Sequence, residues 1–373
     1  MNSNRIENYL KIRSLLDTEG IGIIKLLRLA ETFGSISDVY NSNYDQLKSI
    51  DQLNHDLATK VSNTIKDFSE SKYKYEAELE TLINLGGQAI TYWDDDYPQP
   101  LKNIFYPPII LYVLGNYKFE DEQSISIVGT RKNTDYGKLV TNRFSSELAK
   151  QNITIISGMA RGIDSVAHKA AIKASGRTIA VIGSGLDVIY PPENKMLFNE
   201  IIENGAIISE FPLGTKPDAQ NFPKRNRIIA GLSLGTLVIE TRENGGAMQT
   251  AKFAIDQNKE VFAIPGNITS EQSNGTNILI QRNGAKLVFE PDDILNELKL
   301  KLKPIVGNNI PKPKLNLSLF EEKTYEALEV FPKQIDKIAL DSALSISDTL
   351  VNLLTLEFQG VVQQLPGKLF KKI

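Results

Sequence analysis

The spacing of apolar residues changes along the chain and divides it into three parts. Over residues 1–85 apolar positions recur at helical intervals, as in Ile6, Tyr9 and Leu10. From 124 to 298 short β-branched runs alternate with helix-like stretches. From 318 to 373 helical spacing returns, and the chain closes with two short strand-like runs around a turn. We therefore predict a helical domain over 1–85, an α/β domain over 86–298 and a winged-helix-like domain over 318–373.

Seven apolar runs of the middle part predict a parallel sheet. The runs are 125–128, 153–156, 178–182, 206–209, 237–240, 261–264 and 287–289. Strands that are apolar on both faces and separated by helices are typical of a doubly wound α/β fold. In such a fold ligands bind at the carboxyl ends of the strands, so the turns after these runs are the candidate site.

Proline and glycine mark the connections. Residues 86–123 are rich in proline and predict an extended connecting segment with short strands. Residues 299–317 carry three prolines and five lysines without helical spacing and predict a linker. In the first part, Gly20 and Gly22 precede an amphipathic stretch that ends near Gly34, the outline of a helix-hairpin-helix. A plain helical bundle with tight glycine turns fits that pattern as well.

The amino-acid composition excludes several kinds of site. The chain has no cysteine and only two histidines, His55 and His168, so disulfides, thiolate zinc sites and multi-histidine metal cages are excluded. We predict neither a metal nor a cofactor, and no run is apolar enough to span a membrane. A cytoplasmic location fits these features. The net charge of −3 means that nucleic acid would have to bind at a local basic site.

The turns after the first two predicted strands combine glycine with cations, and the turn after the third carries Gly183 and Gly185. Arg131 and Lys132 follow the first, and Ser157, Gly158 and Arg161 follow the second. Glycine lets backbone amides approach an anion, and a helix N-terminus favours negative charge, so these turns predict a phosphate-binding rim. Each glycine alone is also what any tight strand-to-helix turn requires. No dinucleotide fingerprint and no P-loop occurs, which argues against NAD and ATP chemistry.

The densest basic stretch follows the fourth predicted strand. Phe222 and a proline precede Lys224, Arg225, Asn226 and Arg227. Three cations at a helix start repel each other and oppose the helix dipole unless an anion lies beside them. Arginine forks suit phosphate oxygens, and a neighbouring phenylalanine can stack on a base. This stretch therefore predicts an anion site, although a solvated charged face is the simpler alternative.

Three other polar residues have structural interpretations. We expect His168 to pack or cap within the fold and Asp164 to bind the turn that precedes its helix. Glu240 ends a predicted strand and could act as a general base, but pairing with an arginine such as Arg242 is the favoured interpretation.

Four ordered motifs carry a family resemblance. Residues 157–168 read SGMARGIDSVAH, 182–191 read IGSGLDVIYP, 222–233 read FPKRNRIIAGLS and 261–266 read VFAIPG. Together they resemble the DNA-processing protein DprA family, also called Smf. The resemblance extends to both flanks, where that family has an N-terminal helix-hairpin-helix or SAM-like domain and a C-terminal winged-helix-like domain.

This resemblance implies an extended Rossmann-like core that self-associates into homodimers. It implies a protein without enzymatic activity that binds and protects single-stranded DNA and loads the recombinase RecA in natural transformation. The matched motifs would place six residues in the DNA pocket: Arg131, Ser157, Gly158, Lys224, Arg225 and Arg227. With Lys132, Arg161, Phe222 and Asn226 from the residue patterns above, they form the predicted site.

One alternative belongs to another class of function. The same sheet resembles phosphoribohydrolases that act on nucleoside monophosphates, but Glu240 stands one residue too late after Gly235 and Thr236 for their motif. A nucleotide sensor could use the same pocket without chemistry. Release of a base from a nucleoside monophosphate would distinguish the enzyme from the binding protein.

Overall fold

The computed structural model describes residues 3–50, 53–301, 317–329, 332–365 and 368–372. The chain divides into two compact units, unit 1 (Met1–Leu295) and unit 2 (Asn296–Ile373), and each is described by itself. The helix Pro291–Lys301 occupies the first residues of the segment predicted as a linker. The remainder of that prediction, 302–316, lies outside the described residues.

Unit 1 begins with six helices, as the apolar spacing predicted. They are α1 (Ser3–Leu16), α2 (Ile23–Phe33), α3 (Ile36–Tyr40), α4 (Tyr44–Lys48), α5 (His55–Lys66) and α6 (Phe68–Asn84). Gly20 and Gly34 flank α2 with φ angles of +90° and +92°, a backbone conformation that glycine adopts readily. The helix-hairpin-helix interpretation of this region stays a prediction.

A nine-stranded mixed sheet forms the centre of unit 1. Its strands are β1 (Gly87–Thr91), β2 (Ile110–Gly115), β3 (Ser124–Val128), β4 (Thr154–Ser157), β5 (Thr178–Val181), β6 (Gly205–Ser209), β7 (Gly235–Val238), β8 (Glu260–Ala263) and β9 (Lys286–Leu287). The order across the sheet is β1-β2-β6-β5-β4-β3-β7-β8-β9. Each of the seven runs predicted from the sequence overlaps a strand, although β7 ends two residues before the predicted 237–240 does and β9 shares only Leu287 with the predicted 287–289. From β6 to β9 the pairing is parallel.

Further helices alternate with these strands along the chain. They are α7 (Gln99–Lys102), α8 (Asp135–Lys150), α9 (Ile163–Lys173), α10 (Lys195–Asn204), α11 (Asn221–Leu232), α12 (Gly246–Asp256), α13 (Asn274–Gln281) and α14 (Pro291–Lys301). Strands β3 to β6 are buried along their whole length, and their sequences combine isoleucine, valine and alanine with small glycine, serine and threonine residues. From β3 the chain proceeds toward β6 and then returns to place β7 on the other side, which creates a switch point between β3 and β7.

The segment 86–123, predicted as a connection, also contributes two strands to the sheet. Its strands β1 and β2 pair with each other antiparallel, and β2 adds to β6, so the segment extends the sheet. A polar cluster joins it to the helices, because Glu78 of α6 accepts hydrogen bonds from Tyr9 (2.7 Å), Tyr112 of β2 (2.9 Å) and Arg13 (3.0 Å). The helical domain and the sheet therefore share buried contacts.

Unit 2 contains the predicted winged helix. Its elements are α15 (Leu319–Glu326), β10 (Lys333–Gln334), α16 (Ile335–Ser342), α17 (Ile346–Phe358), β11 (Val362–Leu365) and β12 (Leu369–Lys372). The strands form a sheet in the order β10-β12-β11 around a core that includes Ile338, Leu353 and Phe370. Strand β10 has only two residues, too few for a sequence pattern. Across both units, no helix of the described residues is long and apolar enough to cross a membrane.

Candidate nucleic-acid interface

A cleft of about 790 Å³ opens at the carboxyl ends of β3 and β7. This is the switch point of the sheet, where open α/β folds bind their ligands. Its lining includes Arg131, Lys132, Asp164, Tyr190, Phe222, Arg225, Asn226 and Arg242. A smaller recess beside it is lined by Arg131, Gly158, Arg161, Tyr190 and Phe222. Seven of the ten predicted site residues thus line one of the two, while Ser157, Lys224 and Arg227 line neither.

The mouth of the cleft combines a cation with aromatic rings. The guanidinium of Arg131 lies 5.4 Å from the ring centroid of Phe222, within the range of a cation–π contact. The ring of Tyr190 lies 5.8 Å from that of Phe222 at a tilt of 39°. Among the described residues neither Arg131 nor Lys132 has a carboxylate partner. This mouth can therefore hold a flat ring and an anion together.

Helix α11 separates the three cations of the basic stretch by burial. Lys224 is exposed, whereas Arg225 and Arg227 are only 5% and 8% exposed. The helix begins at Asn221, so its first turn presents Lys224 outward and directs the two arginines toward the sheet. Lys224 alone of the three is a free surface cation within the described chain.

Arg227 forms an ion pair with a carboxylate inside the fold. Its guanidinium donates two hydrogen bonds to Glu210, Nη1 to Oε1 at 2.9 Å and Nη2 to Oε2 at 2.6 Å. Both side chains are largely buried, and such forked pairs are the stronger kind of ion pair. The basic stretch predicted a bound anion, and at Arg227 that anion is the carboxylate of Glu210.

Arg225 lies at the floor of the cleft and bonds to neutral groups. Its Nη1 donates to the carbonyl of Gly158 (2.7 Å) and to that of Val181, and its Nε donates to Asn226 Oδ1 (3.2 Å). Burial lowers the pKa of Arg225 to about 10, and the neighbouring carboxylate of Asp164 opposes that shift. Gly158 permits the arrangement, because a Cβ there would lie 2.4 Å from Arg225 Nη1.

Asp164 binds the turn before its helix, as predicted. Its Oδ2 accepts hydrogen bonds from the backbone amides of Gly158 (3.2 Å) and Ala160 (3.4 Å). Burial raises the pKa of Asp164, while the charge of Arg225 and these amides act in the opposite direction. Asp164 is 7% exposed and lines the cleft.

Two further polar residues of this region are internal. The hydroxyl of Ser157 donates to the carbonyl of Ile127 at 2.6 Å, and Ser157 is fully buried. His168 is also fully buried, with Nδ1 2.6 Å from Thr178 Oγ1. Burial, aided by the charge of Arg225, lowers the pKa of His168 to about 3, so the ring is neutral at physiological pH. The packing role predicted for His168 is confirmed.

Carboxylates hold two exposed arginines at the edge of the site. Arg161 forms a two-bond ion pair with Glu193, whose Oε2 lies 3.1 Å from Arg161 Nη2. Arg242 pairs with Glu271 at 2.8 Å. Both pairs are exposed to solvent, so a bound anion could compete with either carboxylate.

The expected pairing of Glu240 with Arg242 is wrong. Glu240 is 1% exposed and accepts hydrogen bonds from the Thr134 amide (2.9 Å) and hydroxyl (2.5 Å) at the start of α8. The carboxylate thereby caps a helix N-terminus and satisfies its charge locally. Because its oxygens are bonded inside the fold, Glu240 is also poorly suited to be the general base of a hydrolase.

Sequence reasoning missed part of the cleft. Tyr190, Gln249 and Gln272 line it, as does Arg242, which the sequence suggested only as a partner for Glu240. Gly245 and Gly246 lie at the start of α12 and line the cleft. A glycine pair between a strand and a helix was the sequence feature that could have indicated this wall of the cleft. Gln272 has no such signal, because it reaches the cleft from a turn that follows β8.

Comparisons with known proteins agree with this architecture. The family model of DNA recombination-mediator protein A matches residues 88–299, and the model of the DprA winged helix domain matches residues 311–368. Protein Smf of Synechocystis is 34% identical over 388 residues, which cover 95% of this chain and 96% of that protein. Relatives from Bacillus subtilis (43% identical, covering 65% of this chain and 80% of that protein) and Streptococcus pneumoniae (40% identical, covering 55% and 72%) are named DNA processing protein DprA.

Two solved structures are similar. The X-ray structure of DNA processing protein A from Streptococcus pneumoniae has a TM-score of 0.68 and 32% identity, covering 80% of this chain and 99% of that one. DNA processing protein A from Helicobacter pylori, whose structure was described for its single-stranded DNA binding mode, has a TM-score of 0.53 and 30% identity, covering 58% and 96%. On these matches the chain belongs to the DNA recombination-mediator protein A family, known as DprA or Smf.

Proposed function

We propose that this protein binds single-stranded DNA in the cleft at the switch point, protects it and loads RecA onto it in natural transformation. The observation that carries the proposal is an aromatic-lined cleft whose surrounding cations Arg131, Lys132 and Lys224 lack carboxylate partners among the described residues. Unpaired cations beside stacking rings are the usual means of binding a single strand. The single-stranded DNA binding of the H. pylori relative supports the same ligand.

The predicted site residues divide into two roles in this proposal. Arg131, Lys132 and Lys224 contact phosphates, and Phe222 stacks on a base. Arg161 joins them when a phosphate displaces Glu193. The buried members shape the cleft: Ser157, Gly158, Arg225, Asn226 and Arg227.

The deciding experiment is a titration of the full chain with single-stranded and duplex DNA of one sequence. Stacking needs unpaired bases, and a duplex is too wide for a cleft at strand ends, so the single strand should bind more tightly. Equal affinity for both forms would refute the proposal. Incubation with nucleoside monophosphates, followed by a search for free base, tests the hydrolase alternative in parallel.

Lys224→Ala should weaken binding and reduce its salt dependence. Each phosphate contact on a single strand contributes about −0.7 to the slope of log K against log salt. Losing one contact should flatten that slope by about 0.7 without changing sequence preference. The measurement is fluorescence anisotropy of a labelled oligonucleotide at several salt concentrations.

Lys173→Ala is the matched control for Lys224→Ala. Lys173 is exposed in the last turn of α9, which runs from the carboxyl-end edge of the sheet to the opposite edge. Lys173→Ala removes the same charge at a position away from the cleft. It should leave the slope of log K against log salt unchanged. Equal slopes for Lys224→Ala and wild type would place the phosphate contacts elsewhere.

Glu193→Gln should strengthen binding. It removes the carboxylate that holds Arg161 and leaves the guanidinium free for a phosphate. We expect higher affinity and a salt slope steeper by up to about 0.7. Glu203→Gln, an exposed carboxylate of α10, removes the same negative charge and is the control. Equal gains in both variants would mean that only net charge matters and that Arg161 makes no contact.

The homodimer and the RecA partnership belong to the same proposal. Strand β9 ends the sheet, and the apolar side chains in it and directly after it are exposed, Leu287 at 39% and Phe289 at 67%. An edge strand beside apolar surface is suited to pairing with a second copy. Light scattering of the full chain measures the dimer, and RecA filament formation on protein-bound single strands measures loading.

A further inference from the structure

Two opposite charges meet at one peptide unit on the cleft floor. Asp164 Oδ2 accepts from the Gly158 amide at 3.2 Å, and Arg225 Nη1 donates to the Gly158 carbonyl at 2.7 Å. Both side chains line the cleft, and both are more than nine-tenths buried. The floor therefore presents a carboxylate and a guanidinium side by side in a water-poor setting.

Part of each group remains available to a ligand. Arg225 uses Nη1 and Nε for its bonds to the protein, and its Nη2 has no hydrogen-bond partner among the described residues. On Asp164, both hydrogen bonds from backbone amides fall on Oδ2. The floor thus offers a donor from Arg225 next to an acceptor from Asp164.

This floor disfavours phosphate and suits the edge of a base. A phosphate that reached Arg225 would also meet the Asp164 carboxylate, and like charges at a buried site repel strongly. Phosphates gain more at the rim, where Arg131, Lys132 and Lys224 are unpaired. The base, which carries both donors and acceptors along one edge, can satisfy both floor groups at once.

We propose that the cleft floor selects guanine from the bound strand, an inference that rests on the proposed function. Arg225 donates to guanine O6, and Asp164 accepts from the neighbouring N1–H and N2–H groups. Adenine and cytosine offer the carboxylate a single amino group. Thymine offers one N–H between two carbonyl oxygens, which the carboxylate repels. Guanine satisfies the floor most fully.

The test uses the full chain and a set of labelled oligothymidylates that differ at one central position. That position is thymine, adenine, guanine or hypoxanthine, which is guanine without its 2-amino group. We expect the guanine probe to bind roughly fivefold more tightly than the all-thymine probe, or better, and the hypoxanthine probe to lie between. Equal affinity for all four overturns the inference and leaves the proposed function standing. No binding of any probe refutes the proposed function.

Two variants separate the floor from the rim. Asp164→Asn keeps one acceptor for the Gly158 and Ala160 amides but replaces the other oxygen by a donor. It should lose the guanine preference, so that the guanine and all-thymine probes bind this variant with equal affinity. Lys224→Ala should weaken all four probes by the same factor and keep the preference. A folded Asp164→Asn variant that still prefers guanine overturns the inference, and if the variant fails to fold the wild-type series decides.

Discussion

Replacing Arg227 by alanine is expected to lower the free energy of unfolding of unit 1 by about 3–5 kcal/mol. The substitution leaves Glu210 as a buried carboxylate without its two hydrogen bonds from Arg227, and such an uncompensated charge is costly. Urea unfolding followed by the fluorescence of Trp93, the chain's one tryptophan, measures the effect within unit 1.

A double variant separates the ion pair from packing. Arg227→Met combined with Glu210→Gln removes both charges and keeps most of the side-chain volume, so it should be less destabilised than Arg227→Ala. The salt slope of DNA binding by the folded fraction should equal that of the wild type, unlike the slope of Lys224→Ala. If Arg227→Ala unfolds like the wild type but flattens the slope, Arg227 is a phosphate contact and the pair with Glu210 is incidental.

The main strands were predictable because their physics is local. Strands β3 to β6 are buried on both faces, and their content of isoleucine and valine is the direct result of that burial. Strands β1 and β2 were harder to place, since the prolines between them predict only extended chain. What makes them part of the sheet is the antiparallel pairing of β2 with β6, about 90 residues later in the chain.

The candidate site was predictable only in part for a related reason. Charge density in 224–227 is visible in the sequence, but the partner of each cation is not. Arg227 meets Glu210 across a loop, and Arg225 meets Gly158 from an element 67 residues away. Seven of the ten predicted residues line the cleft or the recess beside it, whereas the division between surface Lys224 and the internal arginines required the tertiary fold.

Replacing Arg225 by methionine should lower the free energy of unfolding as much as Arg227→Ala does. Unlike that variant, it should lose stability to an extent that depends on pH. The variant loses the donors to the carbonyls of Gly158 and Val181 and leaves Asp164 without its neighbouring positive charge. We expect a loss of about 3–5 kcal/mol in the free energy of unfolding at pH 8, measured by urea unfolding with Trp93 fluorescence.

The loss should become smaller as the pH falls, and the sign follows from Asp164. Burial already raises the pKa of Asp164 above its unfolded value, and the charge of Arg225 limits that rise. Without Arg225 the folded-state pKa rises further. A carboxyl with a raised folded-state pKa stabilises the fold most below its unfolded pKa, about 3.9, and that contribution disappears as the pH rises through the folded value. The deficit relative to wild type should therefore be smaller at pH 5 than at pH 8.

Adding Asp164→Asn to Arg225→Met tests this explanation directly. The amide carries no charge, so the double variant should be more stable than Arg225→Met at pH 8 and should show a deficit that no longer varies between pH 5 and pH 8. Asp164→Asn alone is the reference for the lost carboxylate. A deficit of Arg225→Met that stays constant with pH would mean that the unsatisfied carbonyls, and not the unpaired charge of Asp164, account for the cost. The carboxylate and guanidinium at Gly158 would then act independently, and the paired floor on which guanine selection depends would lose its physical basis.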